Sequence, residues 1–303
     1  MEVARVLVTG ASGFIGSALV PRLAAAGRVP RLLLRRPPEE APAAPAEVAV
    51  GDLTDPASLR RALEGSDAVV HLGAATSAAG LDPAEAERVN VGGARALIEA
   101  CRAAGCPRLI VMSTQHVHLE RAGPYGRTKR MADQLFQASG LAVTTLRPSL
   151  VYGPGTRGVF AKLARLVARL PVIPIVGRGA WHLRPLYLED LLELIIQVLD
   201  RPDLAGRSYD VGGPDRVTYE EFVAAICAAL GRPFRRVHLP LWLCFALAAV
   251  LERLLDDPPL TRENVRGATL EAPCDLQALL RDLHPRLTPL DAGLRETFAR
   301  QRP

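Results

Sequence analysis

Three evenly spaced glycines near the start of the sequence constrain the fold more than any other feature. They follow an apolar run in residues 3–8, VARVLV, which is typical of a strand buried on both faces of a parallel sheet. The run ends at TGASG, where small residues allow a sharp turn and the close approach of a ligand, and a helical pattern begins at Phe14. A strand, a glycine turn and a helix N-terminus in this order predict a site for the pyrophosphate of a dinucleotide.

The glycines at positions 10, 13 and 16 follow the spacing G-x-x-G-x-x-G, not the more common G-x-G-x-x-G. A turn that only packs a helix against a strand is the alternative interpretation. Because strand, turn and helix occur in the expected order, we predict dinucleotide contacts from this segment. The residues are Thr9, Gly10, Ser12, Gly13, Phe14, Ile15 and Gly16.

The residues that follow the second predicted strand, residues 29–34, indicate whether NAD or NADP binds. An NAD site places Asp or Glu near this point to bind the ribose hydroxyls, whereas arginine suits the 2′-phosphate of NADP. Here the strand is followed by Arg35 and Arg36. Two solvated arginines at a strand end are the alternative interpretation. We therefore predict NADP as the cofactor, with NAD as the alternative.

Composition excludes several classes of protein. Hydrophobic residues make up 49% of the 303 residues and charged residues 23%, as in ordinary globular domains. The net charge of +5 is spread along the chain without a basic block interleaved with aromatics, so we expect no nucleic-acid partner. The five cysteines show neither C-x-x-C pairs nor zinc spacing, and no metal site is predicted. Reduced thiols and the absence of a signal peptide predict a cytoplasmic protein.

Tyr125 and Lys129 are the strongest candidates for catalysis. Residues four apart lie on the same face of a helix, and an ammonium near a phenol favours phenolate, bringing its pKa toward neutrality. Of the 37 basic residues, only Lys129 and Lys162 are lysine, so an amine at this spacing indicates a specific need. An ordinary amphipathic helix is the alternative. In the catalytic interpretation Tyr125 transfers the proton. Lys129 lowers the pKa of the Tyr125 phenol and binds the nicotinamide ribose.

Two adjacent hydroxyls, Ser113 and Thr114, follow the strand predicted over residues 109–112. The carboxyl ends of strands are where open α/β sheets bind ligands. Either hydroxyl could donate to the substrate oxygen that Tyr125 protonates, and strand register slightly favours Ser113. His116 and His118 lie in the following loop and are interpreted as loop or cleft-lining residues.

The motifs TGASGFIG, YGRTK and RPLYLEDL together resemble the NAD-dependent epimerase/dehydratase branch, the extended short-chain dehydrogenases/reductases. The resemblance runs from end to end of the chain. It implies a Rossmann-type doubly wound parallel sheet of the α/β class with a smaller C-terminal substrate lobe. We expect a dinucleotide-binding domain over residues 1–154 and a substrate lobe over 155–303, with about 186–213 returning to the first domain.

The resemblance also implies roles for further residues. Asn90 would hold Lys129 through water, and Arg184 would contact the diphosphate of a nucleotide sugar, although a salt bridge to Glu189 or Asp190 is an equal alternative. Tyr152 would contact the substrate. Dinucleotide contacts beyond the glycine turn would come from Asp52, Leu53, Gly73, Ala74, Ala75, Lys129, Pro148 and Val151. Asp52 could instead be only an N-cap or turn residue.

Residues 239–251 form the most apolar run of the sequence. This run is shorter than the ~20 residues that span a bilayer. We expect a buried helix and no membrane contact, and an interfacial helix that contacts lipid or a partner is the alternative. The resemblance also allows a homodimer through helices predicted near residues 83–104 and 124–138.

Two hypotheses for function follow. The first is an NAD(P)-dependent oxidoreductase or epimerase that transfers a hydride at a hydroxyl or carbonyl of a small polar substrate, with a nucleotide sugar as one example. Two departures from sugar epimerases point elsewhere: only 11 residues separate Ser113 from Tyr125, and the second nucleotide-contacting arginine motif is not recognisable. In both departures the sequence resembles atypical members of this family, which are related to the accessory subunit of respiratory complex I. The second hypothesis is therefore a dinucleotide-bound, non-catalytic interaction or assembly protein.

Overall fold

The computed structural model describes residues 4–42, 44–76, 82–106, 108–255, 258, 260–267 and 269–299. Its centre is a parallel sheet of seven strands. These strands are β1 (Arg5–Thr9), β2 (Val29–Leu34), β3 (Glu47–Val50), β4 (Ala68–His71), β5 (Arg108–Met112), β6 (Ala142–Pro148) and β11 (Ser208–Val211). Their order is β11-β6-β5-β4-β1-β2-β3. The predicted α/β class with a Rossmann-type sheet is confirmed.

Twelve α-helices occur among the described residues. They are α1 (Phe14–Ala25), α2 (Pro56–Leu63), α3 (Pro83–Ala86), α4 (Gly93–Ala104), α5 (Pro124–Gln137), α6 (Gly158–Arg169), α7 (Leu188–Leu199), α8 (Tyr219–Ala229), α9 (Leu241–Leu254), α10 (Arg262–Gly267), α11 (Gln277–Leu283) and α12 (Leu290–Ala299). Between α3 and α4 the chain forms a π-helical segment, Glu87–Gly92. The single helix expected near residues 83–104 is therefore interrupted.

The central strands are apolar along their length because both faces of the sheet are covered. On one face α1 and α7 pack through residues such as Leu19 and Leu191, and on the other α2, α4 and α5 pack through Leu59, Leu97 and Phe136. Since helices cover both faces, parallel strands read as continuous hydrophobic runs. The sheet thereby places the carboxyl ends of β1, β4 and β5 at one edge.

Residues beyond β6 contribute six short strands in three pairs. They are β7 (Val151–Tyr152) with β10 (Leu186–Tyr187), β8 (Ile173–Val176) with β13 (Arg236–Leu239), and β9 (His182–Leu183) with β12 (Val217–Thr218). A separate hydrophobic cluster joins α6, α8 and α12 through Phe160, Phe222 and Phe298. β11 departs from this region and pairs with β6 in the main sheet.

The expectation that residues 239–251 form a buried helix is wrong. Of the residues in α9, only Cys244 and Ala248 are buried, while Trp242 is 71% and Leu254 73% exposed. Cys244 and Ala248 form a small cluster with Val176 of β8. Phe245 packs partly against the same cluster, and the apolar side chains on the opposite side of the helix are exposed. Within the described residues, no helix is both long and apolar enough to cross a bilayer.

Candidate active site

The glycine turn after β1 lies at the carboxyl edge of the sheet. Gly10 has φ +70°, and a Cβ there would lie 2.7 Å from the backbone nitrogen of Gly73, so only glycine fits. Gly13 is the N-cap residue of α1, and no side chain caps this helix. The first-turn N–H groups of a helix lack intrahelical acceptors. The turn therefore presents backbone donors and the positive end of a helix dipole, which suits a pyrophosphate.

A buried pair missed by the sequence analysis fixes the two loops around this turn. The Oγ1 atom of Thr9 lies 2.8 Å from Nδ1 of His71 and accepts a hydrogen bond of 3.1 Å from the backbone N–H of Gly73. Burial lowers the pKa of His71 to about 3, so its ring is neutral at physiological pH. Thr9 thus holds the segment that contains Gly73, Ala74 and Ala75 against the glycine turn.

The end of β2 carries the two arginines that were predicted to select NADP. Arg35 and Arg36 are exposed. Asp52 follows β3, and Oδ1 of its carboxylate accepts hydrogen bonds from the backbone N–H and the hydroxyl of Thr54. Those bonds lower the pKa of Asp52, and the charge of Arg35 lowers it further. Leu53 packs beside Gly73. A carboxylate and an arginine therefore lie near each other at this edge.

Asn90 lies in the π-helical segment and joins three elements. Its side chain accepts a 2.8 Å hydrogen bond from the backbone N–H of Ala75 and donates to the carbonyl oxygen of Ala75 and to Oγ1 of Thr128. π-Helical turns occur often at functional sites. The hydrogen bonds that Asn90 makes to Ala75 and Thr128 give a reason for a residue of weak helix propensity in this stretch. The described contacts tie the Ala75 loop to α5 and do not include Lys129.

Tyr125 and Lys129 lie on α5, one turn apart. The ammonium of Lys129 donates a 2.7 Å hydrogen bond to the carbonyl oxygen of Met112, and burial lowers its pKa to about 8. Burial raises the pKa of Tyr125, while a hydrogen bond with Thr114 opposes that rise. We expected Lys129 to lower the pKa of the Tyr125 phenol. In the protein without bound cofactor, the pKa of Tyr125 is instead raised. At neutral pH the phenol is protonated and can serve as a proton donor.

The two candidate hydroxyls have different environments. Ser113 donates a 3.1 Å hydrogen bond to Oδ2 of Asp133, which also accepts from Arg147. Thr114 interacts with the Tyr125 phenol, and its Oγ1 accepts a hydrogen bond from the backbone N–H of His116. Because Ser113 is already committed to a buried carboxylate, the geometry favours Thr114 as the hydroxyl that orients a substrate.

We expect Thr114→Val to lower kcat by about 10²-fold, because it removes a hydroxyl donor beside the phenol at nearly constant volume. Thr114→Ser should restore most of the activity. Ser113→Ala should leave kcat largely unchanged and lower the free energy of unfolding by about 1 kcal/mol, since one buried hydrogen bond is lost. Steady-state kinetics and urea unfolding of the three variants check this, and a greater loss of kcat in Ser113→Ala would reverse the assignment.

The loop histidines take separate places. The ring of His116 meets that of Tyr125 edge to face, with centroids 6.1 Å apart, and burial lowers its pKa. His118 bonds through Nε2 to Asp210 at 2.8 Å. Within the described residues no cluster of three His, Cys, Asp or Glu side chains could hold a metal ion. His116 therefore lines the site next to the phenol, and His118 anchors the loop to β11.

The structure corrects one predicted substrate contact and shows the partners of a second. Tyr152 is fully buried among Phe160, Tyr187 and Phe222, so the prediction that it contacts the substrate is wrong. Arg184 donates a 2.8 Å hydrogen bond to the carbonyl oxygen of Pro214, and its described bonds include no salt bridge to Glu189 or Asp190. The short strand β7 places Tyr152 in the core, and one nitrogen of the Arg184 guanidinium, Nη1, bonds to loop carbonyl oxygens.

The predicted cofactor contacts Pro148 and Val151 lie at the start of the second lobe. Pro148 ends β6 and is buried, whereas Val151 begins β7 and is half-buried. Arg157, which the sequence analysis missed, reaches back from the same connection. Its guanidinium donates a 3.1 Å hydrogen bond to the carbonyl oxygen of Ser12 in the glycine turn. The RPSLVYGPGTR stretch therefore borders the glycine turn.

Residues 6–212 match the family model for the NAD dependent epimerase/dehydratase family. The chain is 32% identical over 240 residues to the ceramide reductase of Caulobacter vibrioides, covering 78% of this chain and 73% of that protein. It is 30% identical over 289 residues to the 2-alkyl-3-oxoalkanoate reductase of Stenotrophomonas maltophilia, covering 85% and 87%. Among solved structures, MoeE5 in complex with UDP-glucuronic acid and NAD is similar with a TM-score of 0.77 and 25% identity, covering 99% of this chain and 100% of that one.

Proposed function

This chain belongs to the NAD dependent epimerase/dehydratase family, and we propose that it is an NAD(P)-dependent oxidoreductase acting at a hydroxyl or carbonyl group. The observation that carries the proposal is the placement of Tyr125 and Lys129 one turn apart on α5, with the Lys129 ammonium bonded to the carbonyl oxygen of Met112 at the edge that also bears the glycine turn. The two relatives from Caulobacter vibrioides and Stenotrophomonas maltophilia are named as reductases. An acid and a hydroxyl donor beside a dinucleotide site suit reduction of a carbonyl.

The residues present fit a bound dinucleotide. The backbone donors of the glycine turn would hold the pyrophosphate, and Asp52 and Leu53 would border the adenine. Bound reduced nicotinamide supplies the hydride. Thr114 and Tyr125 would both donate hydrogen bonds to the substrate oxygen, and Tyr125 would give up its proton as negative charge develops there. In the opposite direction the Tyr125 oxygen would accept the proton of a hydroxyl.

For the substrate we propose a carbonyl or hydroxyl on a largely apolar molecule. The ceramide reductase and the 2-alkyl-3-oxoalkanoate reductase support this class by their names. The sequence analysis predicted a small polar substrate such as a nucleotide sugar, and the likeness to MoeE5 supports that second candidate. Of the two predicted substrate contacts, Tyr152 lies in the core, and Arg184, which was predicted to contact the diphosphate of a nucleotide sugar, bonds to a loop carbonyl. The apolar class is therefore the first to assay.

A panel assay tests the proposal directly. The full chain is mixed with NADPH or NADH and, in separate reactions, a 2-alkyl-3-oxo acid, a ceramide precursor ketone or a UDP-sugar ketone. We expect loss of nicotinamide absorbance with at least one apolar ketone. Turnover of the sugar ketone alone would favour the second candidate.

We expect the double variant Arg35→Ser/Arg36→Ser to raise the KM for NADPH by about 10- to 100-fold, because charge-assisted bonds to a 2′-phosphate are lost. The KM for NADH should change little. Arg60→Ser, at an exposed position on α2, is the matched control and should alter neither value. Equal effects on the two cofactors in the double variant would contradict the NADP preference that we propose.

A further inference from the structure

The exposed side of α9 is apolar over its whole length. Trp242, Ala246, Val250 and Leu254 are exposed and recur every four residues, so they form one stripe along the helix. Leu247, 42% exposed, widens this stripe. Arg253 is the only charged residue of α9 that is exposed. Exposed apolar surface that groups on one side of a helix is typical of interaction sites.

The carboxylate of α9 is turned away from this stripe. Glu252 is only 19% exposed in its side chain, and it accepts hydrogen bonds of 2.7 Å from the backbone and the guanidinium of Arg262. That pairing also fastens α10 to the inner side of α9. As a result the outward side of the helix carries no negative charge.

Cations flank both ends of the stripe. Arg253 lies at its C-terminal end. Arg178 lies at the other end, next to Gly177, where a Cβ would meet Leu241 at 3.2 Å. Arg178 and Arg253 are exposed and have no carboxylate partner among the residues that the structure describes.

The described carboxylate nearest to β13 is already paired. The carboxylate of Glu220 binds both Arg236 and His238 of β13, at 2.6 and 2.7 Å. Asp256 and Asp257, which follow α9 in the sequence, lie outside the described residues. Among the residues that the structure describes, the unpaired charge beside the stripe is therefore positive.

We propose that α9 docks on the surface of a lipid bilayer that carries anionic headgroups. The apolar stripe would enter the boundary between headgroups and acyl chains, as amphipathic interfacial helices do. Trp242 has the amphipathic ring that favours this depth. The flanking arginines would lie at the phosphates, with a gain of about 1 kcal/mol for each cation near an anionic surface. The helix lies on the membrane and does not cross it.

Packing contacts lead from α9 through α10 to His116 and Tyr125. Val265 of α10 is buried against α9, and a Cβ on Gly267, the last residue of α10, would lie 3.9 Å from the ring of His116. His116 in turn meets the Tyr125 ring. Docking through α9 would thus bring the site near the lipid phase that dissolves an apolar substrate. The docking rests on exposure and charge and does not require the proposed reaction.

Co-sedimentation of the full chain with vesicles tests this inference. The vesicles contain phosphatidylcholine alone or mixed with phosphatidylglycerol. We expect binding to the mixed vesicles that weakens as salt increases. The variant Leu247→Gln/Val250→Gln should bind at least roughly tenfold more weakly, because two apolar side chains no longer enter the lipid. Val48→Gln/Val50→Gln, at exposures of 39% and 51% on β3, matches the 42% and 53% of the test pair and should bind normally.

Two further measurements complete the test. In a Trp181→Phe background the emission of Trp242 should shift to shorter wavelength on addition of mixed vesicles. A chain that stays in the supernatant, or a test variant that binds as well as the parent, would overturn the proposal. So would a dimer in light scattering that the test variant dissociates, since a second copy would then cover α9. Tyr125→Phe should still bind vesicles, and the Leu247→Gln/Val250→Gln variant should still reduce a water-soluble ketone. A failure of the docking proposal can therefore be told apart from a failure of the proposed reaction.

Discussion

Tyr125→Phe is expected to lower kcat by about 10²- to 10⁴-fold, because the variant lacks the only proton that the phenol can give to the substrate oxygen. The ring that packs against His116 is kept. Cofactor affinity should therefore change little. Stopped-flow measurement of nicotinamide oxidation at saturating cofactor gives kcat, and fluorescence titration gives the affinity. Since burial raises the pKa of Tyr125, the wild-type reduction should persist through neutral pH and weaken only in alkali.

Tyr209→Phe is the matched control for that result. Tyr209 is a buried tyrosine of β11 whose hydroxyl donates a 2.9 Å hydrogen bond to Asp282. The Tyr209→Phe variant should have a free energy of unfolding about 1 kcal/mol lower than the wild type and an unchanged kcat. If Tyr125→Phe turned over at the wild-type rate, the phenol would not be the acid.

Asp133→Asn is expected to lower the free energy of unfolding by about 3 kcal/mol, because it leaves the Arg147 guanidinium without its carboxylate in the interior. Asp133 is 3% exposed and its oxygens bind Ser113, Arg147 and Gln137. Urea unfolding monitored by circular dichroism should show a lower midpoint with an unchanged m value.

Asp203→Asn supplies the comparison for Asp133→Asn. Asp203 pairs with Arg201 at 2.6 Å, and both side chains are exposed. A surface pair of this kind contributes about 0–1 kcal/mol, so its removal should hardly move the urea midpoint. Equal shifts in the two variants would contradict a buried, stabilising role for Asp133.

The features that the sequence predicted well are local in the chain. The glycine spacing fixes the turn between β1 and α1 because backbone sterics act within a few residues. The Tyr125–Lys129 pair follows from helical periodicity alone. The continuous apolar runs predicted the buried strands of the sheet, which is confirmed together with the α/β class.

The features that sequence analysis missed join residues far apart in the chain. The contact of Thr9 with His71 spans 62 positions, and nothing in either segment indicates it. The choice between Ser113 and Thr114 depended on Asp133, twenty positions away. Hydropathy identified α9 as apolar, but it does not reveal how much of a helix its neighbours cover. Tyr152 was misplaced for the same reason, since its burial arises from three aromatic rings on other elements.

Isotope transfer tests the central claim most directly. The full chain is incubated with a 2-alkyl-3-oxo substrate and reduced cofactor that carries deuterium at the carbon that donates the hydride. If the chain is a reductase of this class, mass spectrometry will find one deuterium on the carbinol carbon of the product, and Tyr125→Phe will form that product far more slowly. Cofactor binding without label transfer to any ketone of the panel would contradict the oxidoreductase assignment and indicate a non-catalytic dinucleotide-binding protein.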